Sequence, residues 1–171
     1  FLGVAGALSV YVNGKYVGYS EGSHNTAEFD VSNYICAGNN EIVAVVYKWS
    51  NGTYLECQDM FRENGIFRDV YLIQRETDYI HDFLFRTSKN ADGTYDLKIS
   101  VRGSFSPDAE IEITAKDLFD THVDKNGKAE LHSLSVKEWS AETPNVYEVH
   151  ILLKNGSNVT EAIRTYIGFK T

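Results

Sequence analysis

An all-β protein made of two consecutive β-sandwiches is what this chain predicts, and three observations carry that expectation. Apolar residues recur with a period of two almost throughout, turn residues punctuate them at short intervals, and no stretch sustains a helical period. The 171 residues are enough for one large domain or two small ones. With 43% hydrophobic and 23% charged residues the composition is that of an ordinary globular protein.

In order along the chain, Leu8, Val10 and Val12 alternate with Ala7, Ser9 and Tyr11. Asn13-Gly14 follows, and Tyr16 to Tyr19 return, so the spacing predicts a hairpin closed by a type I′ turn. Glu41 to Trp49 is apolar on both faces, as expected of a strand inside a sandwich. Ile66 to Ile73 reads as a further strand. The apolar pattern lapses around Gln74 to Asp78, and a domain boundary is expected there, giving domains 1–76 and 77–171.

Seven strands are expected in the second half: Ile80–Thr87, Tyr95–Arg102, Ala109–Lys116, Ala129–Leu131, Leu134–Val136, Val146–Leu153 and Val159–Phe169. In the second of these Tyr95, Leu97, Ile99 and Val101 point inward, and Ile111, Ile113 and Ala115 do so in the third. Turn signals at Asn90 to Gly93, Lys125 to Lys128 and Lys154 to Ser157 separate them. This spacing is that of an immunoglobulin-like sandwich. A helix over Val123 to Leu134 is disfavoured by Gly127. The first half supplies about five strands, too few to cover its own edges, and so reads as the C-terminal part of a larger sandwich.

The net charge of −8 argues against nucleic-acid binding, which needs a basic stripe on the phosphates. No apolar run is long enough to span a membrane, and the first residues lack the basic start of a signal peptide. Cys36 and Cys57 have no C-x-x-C spacing and read as buried or half-buried thiols, which fits a cytoplasmic setting. The five histidines show no ligand spacing, so no zinc site is expected.

The segment from Trp49 to Val70 is the most informative. Between two strand signals it gathers Trp49, Phe61, Arg62, Arg68, Glu56, Asp59, Glu63 and Asp69. Loops held between rigid strands are where function concentrates. Glu56 and Asp59 are close in sequence, but nothing positions them as a catalytic pair. Arg62 and Arg68 are candidates for bidentate pairing with Asp59 or Asp69, with Arg68 expected in a buried, fold-organising pair. Trp49 and Phe61 could stack on a sugar, although core packing is the better expectation. Trp139, ahead of Pro144, is expected to anchor the second sandwich. Tyr11, Tyr16 and Tyr19 form a stripe that a hairpin face packed on a neighbour would explain equally well.

Several of these words, in this order, resemble the family 2 glycoside hydrolases, and within them the large bacterial β-galactosidases. They are Val10 to Ser20, Ala27 to Val31, Ala37 to Glu41, Trp49 to Val70, Trp139 to Tyr147 and the terminal Ile167 to Lys170. The resemblance implies a jelly-roll sugar-binding domain, then an immunoglobulin-like domain, then a TIM barrel bearing the active site. This chain would be the C-terminal part of the first and all of the second.

The family's retaining hydrolysis of β-galactosides needs two carboxyls flanking the glycosidic bond. Both belong to the barrel, as do the magnesium ligands, so no catalytic residue carries over and the chain is expected to be inactive alone. One residue does carry over: in Leu55-Glu56-x-Gln58-Asp59-Met60-Phe61, the resemblance makes Asp59 a contact for galactosyl hydroxyls and a sodium ligand once the barrel is present. Cys57 stands where the best-known members carry an acidic residue, and Phe61 where they carry Trp. The implied partners are the galactoside and the chain's own barrel, in a homo-oligomeric parent. Two other readings stand beside this one: a free-standing carbohydrate-binding module using the Trp49–Arg68 loop, and a ligand-free pair of structural sandwiches.

Overall fold

A computed structural model describes residues 1–56, 59 and 63–170. The all-β class holds: twelve strands and one five-residue helix are present among these residues. The chain divides into two compact units, Phe1–Ile73 and Gln74–Thr171.

The first unit contains β1 (Val4–Ala5), β2 (Ala7–Val12), β3 (Lys15–Glu21), β4 (Ile42–Tyr47), α1 (Asn51–Leu55) and β5 (Gly65–Ile66). β2 lies between β3 and β4 in an antiparallel sheet, and β1 pairs with β5. The β2–β3 hairpin turns on Asn13 (φ 51°) and Gly14 (φ 76°), the two positive φ angles that a type I′ turn demands. Leu8 and Val10 of β2 pack with Val4, and Phe1, Val17, Phe29 and Val46 close around them.

The strand expected from Glu41 to Trp49 forms as β4, but it is not an interior strand. It pairs with β2 alone, and Ile42, Val43, Val45 and Tyr47 are exposed. One face of β4 packs through Ala44 and Val46 on the Leu8 and Val10 cluster, whereas Val43, Val45 and Tyr47 on the other face stay exposed because no layer covers them among the described residues. The strand expected over Ile66–Ile73 is likewise reduced to Gly65–Ile66, and Val70 to Ile73 run on exposed and without a ladder partner.

The second unit is a two-sheet sandwich. β6 (Tyr79–Lys89), β7 (Tyr95–Ser104) and β10 (Lys128–Leu134) form one sheet, ordered β10-β7-β6. β8 (Ala109–Ala115), β9 (Phe119–His122), β11 (Tyr147–Asn155) and β12 (Asn158–Ile167) form the other, ordered β12-β11-β8-β9. The inward residues foreseen from alternation are buried: Tyr95, Leu97, Ile99 and Val101 on one sheet, and Ile111, Ile113 and Ala115 on the other. With Val149, Ile151, Leu153 and Phe169 they make one continuous core. Each fully buried aliphatic side chain contributes about 1.5–3 kcal/mol of burial free energy.

The expected strand Ala129–Leu131 lies within β10, whose register shifts between Leu131 and Leu134, and the expected strand Leu134–Val136 is reduced to Leu134, where β10 ends. β9 follows a tight turn at Asp117 (φ 58°) and was not foreseen, because four residues show too little alternation to register. Gly127 is needed at its turn: its φ is +70°, and an added Cβ would collide with the Val101 carbonyl oxygen. Trp139 anchors the end of this sandwich as expected. Its N–H donates to the Phe169 carbonyl at 2.8 Å, and its ring packs on Gly168.

Candidate functional site

The segment after β4 builds the site. Ser50 caps α1, and its backbone N–H donates to the Thr53 hydroxyl at 3.0 Å. The helix lasts a little over one turn, and Tyr54 and Leu55 on it are more than 80% exposed, so little apolar burial holds it. Sequence reading missed it, since five residues beginning Asn-Gly carry no helical period.

What fastens the end of the helix is polar. Glu56, its C-terminal cap, folds back so that its carboxylate accepts the Ser23 hydroxyl at 2.6 Å and the Ser23 N–H at 3.1 Å. The Ser23 hydroxyl in turn accepts the Gly6 N–H at 3.2 Å, and Ser23 is buried. Gly52 makes room for the fold-back, because a Cβ there would press on the Glu56 carboxylate at 3.3 Å.

Three residues beyond Glu56 stands Asp59, exposed and in the left-handed region at φ 50°. Asp tolerates that region better than most residues because its short polar side chain can bond locally. Asp59 lines an open cavity of about 790 Å³ in the first unit. Trp49, Phe67, His24, Lys48 and Glu63 line it as well. The His24 ring meets the Phe67 ring edge-on with centroids 5.7 Å apart, and the Lys48 ammonium lies 5.6 Å from the Trp49 ring centroid. Carboxylates that accept hydrogen bonds from hydroxyls, beside exposed aromatic faces, suit a neutral polyol.

Several expectations are corrected here. Trp49 is 66% exposed at the cavity rather than packed in a core, because no second layer covers the end of β4 among the described residues. Arg68 is exposed and pairs with no carboxylate among the described residues. Its guanidinium donates to the His24 carbonyl at 3.2 Å and lies over the Phe67 ring, so it organises the fold through a backbone oxygen and an aromatic face. Cys36 is exposed rather than buried. Cys57, Phe61 and Arg62 lie outside the described residues. Tyr11 and Tyr16 meet edge-on at 5.5 Å, with Tyr16 and Tyr19 about half exposed. Among the described residues no group of three or more His, Cys, Asp or Glu side chains is gathered to hold a metal.

Comparison with known proteins decides the family. The model for the sugar binding domain of glycosyl hydrolases family 2 matches residues 1–76, and the glycosyl hydrolases family 2 model matches residues 78–170. The chain belongs to glycosyl hydrolase family 2. A β-galactosidase of Actinobacillus pleuropneumoniae is 39% identical over 99% of this chain and 17% of its own length. A β-galactosidase of Priestia megaterium is 35% identical over 100% of this chain and 18% of its own. The chain thus spans less than a fifth of these relatives. Among solved structures, a β-glucuronidase from Facaelibacterium prausnitzii L2-6 superposes with a TM-score of 0.80 at 20% identity, covering 98% of this chain and 28% of that one. A β-glycosidase from Bacteroides vulgatus superposes with a TM-score of 0.73 at 20% identity, covering 99% of this chain and 23% of that one. The shared fold of family 2 is what these two likenesses establish.

Proposed function

We propose that this chain is a non-catalytic segment of a retaining β-galactosidase, in which the loop bearing Asp59 completes a sugar site whose catalytic carboxyls lie on a TIM barrel elsewhere in the protein. The first unit would be the C-terminal part of the jelly-roll domain, and the second the immunoglobulin-like domain. The observation that carries the reading is Asp59 itself. It stands exposed in a left-handed conformation on a loop opening into a cavity, in a chain similar to β-galactosidases along its whole length.

In this reading Asp59 accepts hydrogen bonds from sugar hydroxyls, which orients the ring before the bond breaks. Charge-assisted bonds of that kind contribute about 1.5–3 kcal/mol each. A sodium ion needs several hard oxygen ligands, and Asp59 alone does not make a cation site. This segment would supply one carboxylate to such an ion and no magnesium ligand.

The test is Asp59→Asn in the full-length enzyme carrying this chain. The kcat/KM for a nitrophenyl β-galactoside is expected to fall at least about 100-fold, in line with the loss of one or two charged hydrogen bonds. Activity within twofold of the parent overturns the reading.

One observation favours a second reading, a carbohydrate-binding module that works without a barrel: Trp49 and Phe67 both present exposed rings to the cavity. Titrating the 171-residue chain with galactose while following tryptophan fluorescence separates the two. A saturable change lost in Trp49→Ala supports the module, and no change supports dependence on the barrel.

A further inference from the structure

We propose that Glu56 is a positioning residue for Asp59, acting through its clamp on Ser23; that this matters for sugar recognition rests on the reading of Asp59 above. The neighbourhood makes the case. α1 is short, its large side chains Tyr54 and Leu55 point into solvent, and Gly52 is its one buried residue. Helices this short are not stable by themselves, and most take their stability from packing an apolar face. α1 has no such face, so it needs another fastening.

The Glu56 carboxylate is that fastening. It takes the hydroxyl and the N–H of one buried residue, Ser23, in a charge-assisted pair of bonds. Ser23 is itself tied to Gly6, whose φ of +97° and close approach to the Tyr47 carbonyl allow no side chain. Gly6 lies between β1 and β2, and Tyr47 ends β4. The carboxylate therefore fixes the point where the loop leaves α1 to the rigid sheet, three residues ahead of Asp59. Glu56 and Asp59 line the same cavity. Of the two acids close in sequence, Glu56 is the one whose carboxylate is tied to Ser23.

The experiment compares Glu56→Ala, Ser23→Ala and the conservative Glu56→Gln, which keeps an acceptor oxygen for Ser23. The first readout is the heteronuclear NOE of the Asp59 amide in the labelled chain. It is expected to drop towards values typical of chain ends in Glu56→Ala and Ser23→Ala, to stay at the parent value in Glu56→Gln, and to fall no further in the double variant. Unit 2 amides report that the rest of the chain is intact. An Asp59 NOE unchanged in Glu56→Ala overturns the proposal, even where the melting temperature of the first unit falls.

The second readout is kcat/KM of the full-length enzyme. A loss of about 100-fold is expected in Glu56→Ala, the scale of a displaced binding group, with recovery in Glu56→Gln. The two readings fail separately. A collapsed NOE with Asp59→Asn fully active removes Asp59 from the sugar site and leaves the clamp. A normal NOE with Asp59→Asn inactive removes the clamp and leaves the site.

Discussion

The Asp96 carboxylate on β7 accepts the backbone N–H of Ser133 at 3.1 Å, across the register shift in β10. Ser133 sits there in the left-handed region at φ 57°. Asn90 donates to the same carboxylate at 2.8 Å, and His132 Nδ1 lies 3.0 Å from it. One side chain thus closes a hairpin turn and pins a bulge in the neighbouring strand.

These donors, Asn90 first, then His132 and the Ser133 N–H, hold the Asp96 carboxyl at about 2, below its ordinary 3.8. The folded state therefore binds this proton less readily than the unfolded chain does. The stabilisation is fully present above about pH 4 and is lost as pH falls towards 2. Asp96→Asn is expected to flatten the acid limb of the stability curve of the second unit, measured by denaturant titration between these pH values. An unchanged acid limb would contradict this assignment.

Asn13 does two jobs at the first hairpin. It adopts a left-handed backbone, and its side chain donates to the Tyr34 carbonyl and the Asn40 side chain while accepting the Glu41 N–H. Asn13→Ala is expected to cost about 1–2 kcal/mol, from backbone strain and unmade bonds together. Asn13→Gly removes only the bonds and should cost less. Chemical denaturation of both variants measures the difference.

Gly6 leaves no space for a side chain, since a Cβ would meet the Tyr47 carbonyl oxygen and the backbone lies at φ +97°. Gly6→Ala is expected to destabilise the first unit by at least about 1–3 kcal/mol while leaving the melting of the second unit in place. Calorimetry that shows no loss of stability in the first unit would contradict this.

Val70, Tyr71, Leu72 and Ile73 are all at least half exposed, and β4 offers an edge without a strand partner among the described residues. Apolar strand edges of this kind pair with other chains. The 171-residue chain is therefore expected to self-associate as concentration rises. A Leu72→Lys/Tyr71→Lys variant should shift sedimentation towards monomer.

Much of this architecture was legible in order of residues. Where one face of a strand meets a core and the other meets water, alternation records it, and β7, β8 and β11 of the second sandwich were readable for that reason. Asn13-Gly14 was readable because few residue pairs tolerate two positive φ angles in succession. The family 2 motif words were equally legible and led to Asp59.

The sequence could not report what lies over a strand. Glu41–Trp49 looks interior because both of its faces are apolar, yet burial depends on whether a second layer exists, which is a property of the assembled fold. The same limit misplaced Trp49 and gave Arg68 a carboxylate partner that it lacks among the described residues. It also hid the Ser23–Glu56 clamp: these residues are 33 positions apart, neither has a distinctive neighbour pattern, and only the return of α1 beside the first hairpin brings the hydroxyl to the carboxylate. Local periodicity determined which segments are strands and which turns join them. Long-range packing alone decided which faces stay open and which acid binds Ser23.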